Sequence, residues 1–156
     1  MGLFGKSKPV EPPSIRREDM ATAVAAVPPK ELEWLKNALP EIEYLSNALP
    51  ADEQVLSAAY CCAATTLDST AGVIAFTPKR IVAVVGSRRN NRGGEPTVHI
   101  FPFSELTGIS YAPGIVNFGY FDLKDRSRVT LEIGKDKAWP GMFMDAAKQQ
   151  SNRAKF

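Results

Sequence analysis

Gly72-Val-Ile-Ala-Phe-Thr-Pro-Lys-Arg-Ile-Val-Ala-Val-Val85 is the stretch whose reading decides the fold. Two short apolar runs, residues 72–77 and 80–85, flank the turn residues Pro78 and Lys79. β-Branched side chains dominate both runs, so the segment predicts two strands joined by a turn. The same texture extends outward in both directions. Upstream, Glu53 to Ala64 predicts a first strand; downstream, residues 97–103, 106–111, 117–124 and 128–133 predict four more. The last alternates cleanly, with Val129, Leu131 and Ile133 inward and Arg128, Thr130 and Glu132 outward. Turn signals separate the runs: Asp68-Ser-Thr70, Asn90 to Gly94, Pro113-Gly114 and Lys124 to Ser127.

The chain of 156 residues is long enough for one domain with a real core and an appendage. Apolar residues make up 44% and charged residues 23%, the balance of an ordinary globular protein. A net charge of +2 provides no global field for nucleic acid or membrane, so any electrostatic role must come from local clusters. No apolar run approaches the ~20 residues that cross a bilayer. The expected location is cytoplasmic, extending to peripheral attachment at the inner membrane face. The cysteines, Cys61 and Cys62, are adjacent; in a strand they face opposite sides, which predicts small buried thiols and no disulfide.

Three regions are predicted: a disordered tail over 1–17, a helical arm over 18–49 and a barrel domain over 50–156. Pro9, Pro12 and Pro13 break up the tail. Glu18 and Asp19 lead an alanine-rich helix that Pro28-Pro29 stops. Leu32, Leu35, Leu39, Ile42, Leu45 and Leu49 then recur at spacings of three and four, forming one apolar stripe interrupted at Pro40. Leu35-Lys-Asn-Ala-Leu-Pro40 repeats as Leu45-Ser-Asn-Ala-Leu-Pro50, which reads as two helix ends with the same stop signal. At the other terminus Asp136 is a candidate cap for a last helix. Pro140 falls in its first turn, and Trp139, Phe143, Ala146 and Ala147 form its buried stripe.

Seven short strands followed by one amphipathic helix is the order of a pleckstrin-homology-like (PH-like) fold. Residues 72–84, together with Leu49-Pro-Ala-Asp-Glu-Gln-Val-Leu56 and Phe101-Pro-Phe-Ser-Glu-Leu-Thr-Gly-Ile109, resemble the bacterial PH-like, YokE-like domain family. The resemblance covers roughly residues 49–155 and departs at Pro78, where a polar turn residue is commoner. It implies a seven-stranded β-barrel capped by the C-terminal helix. It also implies a non-catalytic scaffold, a self-associating module or a lipid-headgroup binder.

No catalytic group is expected. His99 is the only histidine, and alternation sets it opposite Val98 and Ile100, as a solvent-facing or hydrogen-bonded structural residue. No spacing of ligands suggests a metal, and no cofactor is implied. Gly5-Lys6-Ser7 lacks the preceding strand and first glycine of a phosphate loop. Basic loops exist, but without the strand-borne aromatic and basic signature of RNA-recognition folds, so nucleic acid is not an expected partner.

Two candidate interaction features remain. In the PH-like order the loops after strands one, three and six gather at one end of the barrel. The loop after strand three carries Arg88, Arg89 and Arg92, and the loop after strand six carries Lys124, Arg126 and Arg128. Converging guanidinium forks suit phosphate or carboxylate, so this rim is a candidate site for anions or lipid headgroups. The loop after strand one holds Asp68 and no cation, which weakens the lipid reading. The second feature is the stripe Leu32 to Leu49, which packs either on its own barrel or on a neighbour. The leading expectation is a protein-interaction or scaffolding module, with self-association as one form; the alternative is peripheral binding to an anionic membrane.

Overall fold

A computed structural model describes residues 11–64, 70–86 and 95–155. Three helices come first: α1 (Glu18–Ala25), α2 (Pro29–Leu35) and α3 (Leu39–Ala48). Seven strands follow: β1 (Ser57–Ala63), β2 (Gly72–Phe76), β3 (Arg80–Val85), β4 (Thr97–Pro102), β5 (Leu106–Ala112), β6 (Phe118–Leu123) and β7 (Arg128–Ile133). The last helix is α4 (Trp139–Ala154). All strand pairs are antiparallel, in the order β4-β3-β2-β1-β7-β6-β5. The sheet curls like a barrel, with β4 and β5 as its edges, joined by the short 3-10 turn Phe103–Glu105. This is the PH-like architecture expected of the strand order.

Three of the prolines act as helix starters. Pro29, Pro40 and Pro140 all stand in the first two positions of their helices, where a missing N–H costs nothing. The repeated Leu-Pro pair therefore has two different meanings. Leu39-Pro40 opens α3 after a 3-10 turn at Lys36–Ala38, whereas Leu49-Pro50 follows its end. The expectation of two equivalent stops is corrected: the first proline restarts a helix.

Alternation divides the strands into two cores. On the inner face, Ala59, Cys61, Ile74, Phe76, Ile81 and Ala83 meet the stacked rings of Phe101 and Phe121, whose centroids are 4.9 Å apart. α4 closes one mouth with Phe143, Met144 and Ala147. Asp136 accepts from the amides of Ala138 and Trp139 and so caps its start. Gly134, at φ +75°, turns the chain there, where an added Cβ would overlap Pro140.

The outer face of β1 to β3 is equally dry. Ala58, Tyr60, Cys62, Val73, Ala75, Val82 and Val84 pack against Met20, Val24 and Val27 of the arm, and against its stripe. Leu32, Leu35, Ile42, Leu45 and Leu49 are buried in that layer, and Leu39 is partly exposed. The stripe thus packs on the chain's own sheet, which resolves the open choice between barrel and neighbour. Burial on both faces explains why β2 and β3 read as unbroken apolar runs while β7 alternates.

Two polar anchors hold the arm down. Glu31 has no solvent exposure. Its carboxylate accepts the amides of Tyr60 at 2.7 Å, Lys135 at 2.6 Å and Asp136 at 2.9 Å. Arg17 donates to the carbonyls of Ser46, Leu49, Pro50 and Glu53 and to both oxygens of Asp19. Asp19 in turn accepts the Val55 amide at 2.7 Å. Ile15 also packs on the outer core, so ordered structure begins ahead of residue 18, inside the stretch expected to be a disordered tail.

Leu35→Ala empties a fully buried position between arm and sheet and is expected to cost about 2–5 kcal/mol in chemical denaturation. Removing residues 1–48 strips one face of the sheet. Circular dichroism should then show loss of cooperative unfolding, and light scattering a mass per chain larger than that of the full-length protein. Burial raises the Asp19 carboxyl, but the Arg17 guanidinium and the Val55 and Met20 amides outweigh it and leave it below its ordinary 3.8. Its stabilisation is therefore present above pH 3.8 and lost as pH falls through the depressed native value. Asp19→Asn should cost about 1–3 kcal/mol at neutral pH, with the gap closing in acid.

Candidate functional site

Strand register shows which loops share an end. Cys61 pairs with Gly72, Gly72 with Val85, Val85 with Thr97, Ala63 with Leu131 and Asp122 with Arg128. The strand ends that lead into the loops after β1, β3 and β6 therefore point toward the same end of the sheet. Arg88, Arg89 and Arg92 lie outside the described residues, as does Asp68.

Lys124, Arg126 and Arg128 are all exposed, but they are not equivalent. The Arg128 guanidinium grips Asp122 through two bonds of 2.6 and 3.2 Å and lies 4.9 Å from the Tyr120 ring centroid. That pairing holds the Asp122 carboxyl below its usual range. Arg128 is thus committed to its own strand surface. Lys124 and Arg126 occupy the turn itself. Arg126 sits at φ +71°, its amide donating to the Leu123 carbonyl, and Asp125 accepts from the Ser127 amide. The turn thus carries two exposed cations, with Asp125 between them.

A concave surface lies elsewhere. A groove of about 1260 Å³ runs between α1, the end of α3 and the approach to β1. Ile15, Ala23, Leu49 and Val55 supply apolar lining. Glu18, Asp19, Glu43 and Asp52 face it against Arg16 and Arg17, and Arg17 and Asp19 neutralise each other. The remaining rim is acidic on balance. Sequence reasoning missed this groove because it arises from helix packing, not from any local motif. The signal within reach was the unexplained Arg16-Arg17 pair before Glu18-Asp19.

His99 departs from expectation. It shares the inward side of β4 with Phe101, stacked at 6.0 Å and 13°, and is half-buried, while Ile100 is the exposed neighbour at 53%. The barrel's curvature at edge strand β4 turns Ile100 outward. Burial pushes the His99 pKa down from 6.5. The cysteines are buried on opposite faces, and burial pushes the Cys62 thiol up to about 12, which suppresses thiolate reactivity. Among the described residues, no group of three histidine, cysteine or carboxylate side chains is placed to hold a metal ion. No helix among them is long and apolar enough to cross a membrane.

No protein-family model matches the chain, and no curated protein matches it. Among solved structures it is similar to the Vps36 N-terminal PH domain, with a TM-score of 0.50 and 15% sequence identity. That match covers 67% of this chain and 83% of the other. At this identity the likeness shows the fold, which is PH-like.

Because burial alone depresses it, His99 should titrate below 6.5 in an NMR pH series. Phe101→Ala should move it back toward that value by opening the inner side of β4.

Proposed function

We propose that this chain is a non-catalytic, cytoplasmic protein-interaction module, and that the groove beside α1 receives a basic, amphipathic segment of a partner protein. The groove carries the reading. It combines apolar lining with an acidic rim, and its length along two helices suits an extended or helical peptide more than a small metabolite. Its walls are fixed by Arg17 and Asp19, so a partner would meet a preformed surface and lose less free energy to ordering. The PH-like barrel supports the same reading, because its interior is filled by side chains and leaves its surfaces for recognition. The resemblance of residues 72–84 to bacterial YokE-like domains points to scaffolding of this kind, self-association included.

A second reading is favoured by the convergence of strand ends at the basic loops. Lys124 and Arg126, with Arg88, Arg89 and Arg92, would bind anionic headgroups at the membrane face. Vesicle co-sedimentation separates the two. If the rim acts, binding to anionic vesicles weakens with salt and falls with Arg88→Glu, Arg89→Glu and Arg126→Glu combined.

For the groove, a photo-crosslinking residue at the exposed Ala26 should give a discrete protein adduct in cells, identified by mass spectrometry. The purified partner should then bind the chain, and Glu43→Lys with Asp52→Lys should weaken that binding about tenfold or more. Adducts that also form from Ser104, or binding indifferent to the charge reversal, would reject the groove.

A further inference from the structure

Residues 106–121, Leu-Thr-Gly-Ile-Ser-Tyr-Ala-Pro-Gly-Ile-Val-Asn-Phe-Gly-Tyr-Phe, form a run without a single charge, bounded by Glu105 and Asp122. They build the β5–β6 hairpin, whose closing pair is Ala112 and Phe118. At its apex Ile115 is fully exposed at 108% and Val116 exposed at 38%. Ile115 and Val116 contribute little to the core, and two adjacent aliphatic side chains at one tip leave apolar surface free to be buried elsewhere.

The surroundings of the apex point to what covers it. Ile133 donates its amide to the Asn117 carbonyl, which sets the apex beside the end of β7 and the loop that follows. Lys137 is exposed on that loop, whereas the Lys135 ammonium is taken up by Glu132 at 2.7 Å. Tyr111 lies against Gly141 of α4, next to Met142, which is 60% exposed. An aliphatic tip thus has the Tyr111 ring, the exposed Met142 and the exposed Lys137 on the elements beside it, the mixture found at a membrane–water interface. Two backbone positions of the tip need no water. Pro113 has no N–H, and the Gly114 N–H is satisfied by the Asn117 side chain at 3.2 Å.

We propose that the β5–β6 hairpin inserts Ile115 and Val116 into the interfacial region of a phospholipid bilayer, through an apolar contact that needs no anionic headgroup. A bilayer fits better than a second copy of the chain. A stable dimer buries about 800 Å² per partner, and two aliphatic side chains on a narrow tip present a small part of that. A lipid interface needs no complementary shape, only apolar surface to bury. The hairpin contact is separate from the basic loops. β6 runs from the apex to the Lys124 turn, and its six residues set the two sites ~20 Å apart at opposite ends of the sheet.

Flotation of the full chain with phosphatidylcholine vesicles tests this. The wild type should partition with neutral vesicles with little dependence on salt, and Ile115→Asp should lower partitioning about tenfold or more. Val116→Trp should show blue-shifted emission on the vesicles, quenched by brominated lipid. Both positions are exposed, so melting temperatures should match the wild type. Three results would overturn the proposal: failure of the wild type to float with neutral vesicles, flotation unchanged by Ile115→Asp, or a dimer in light scattering that Ile115→Asp dissolves. Binding only to anionic vesicles, abolished by Lys124→Glu with Arg126→Glu, would assign membrane contact to the basic loops and overturn it equally.

Discussion

A carboxylate sealed from water between a helix and a sheet is costly unless both its oxygens are hydrogen-bonded, and Glu31 meets that condition with backbone donors alone. Its partners lie 29, 104 and 105 residues away, on β1 and on the loop between β7 and α4. Burial raises its pKa, while the three amides pull the other way. The side chain therefore favours one placement of α2, because any slip strands a buried carboxylate and the buried Tyr60 N–H. Apolar packing drives the arm onto the sheet, but packing alone tolerates sliding. Glu31 fixes the register, and Arg17 does the same at the opposite end of the arm through the carbonyls that close α3.

Once the arm is fixed, the surfaces left for recognition follow. The outer face of β1 to β3 is occupied, so a strand face that is open in a simpler barrel is closed here. The inner face is filled by the aromatic stack and by α4. What remains is the groove that the arm itself creates, the loop end and the hairpin apex. The first is acidic, the second basic and the third uncharged.

Arg128 shows why counting charges overstates a binding rim. In the sequence it belongs to a cluster with Lys124 and Arg126. In the structure it is paired with Asp122, two residues before the turn on the neighbouring strand, and stacked over Tyr120. Cross-strand pairing is a property of register, invisible until the strands are aligned. His99 makes the same point. Alternation correctly set it opposite Ile100, but which of the two sides faced the core depended on the curl of an edge strand.

By itself the sequence determined the strand order, because period-two alternation and turn residues are local, and it determined the helix stripes, because spacing of three and four is local too. β3 and β7 occupy the bounds expected of them. The unbroken apolar character of β2 and β3 already implied two covered faces. Only the tertiary structure decided what covers the second face, where Glu31 and Arg17 find their partners, and that a groove opens beside α1. Those features join atoms tens of residues apart. Hydrogen bonding and packing at that range depend on distances that no local pattern of residues encodes.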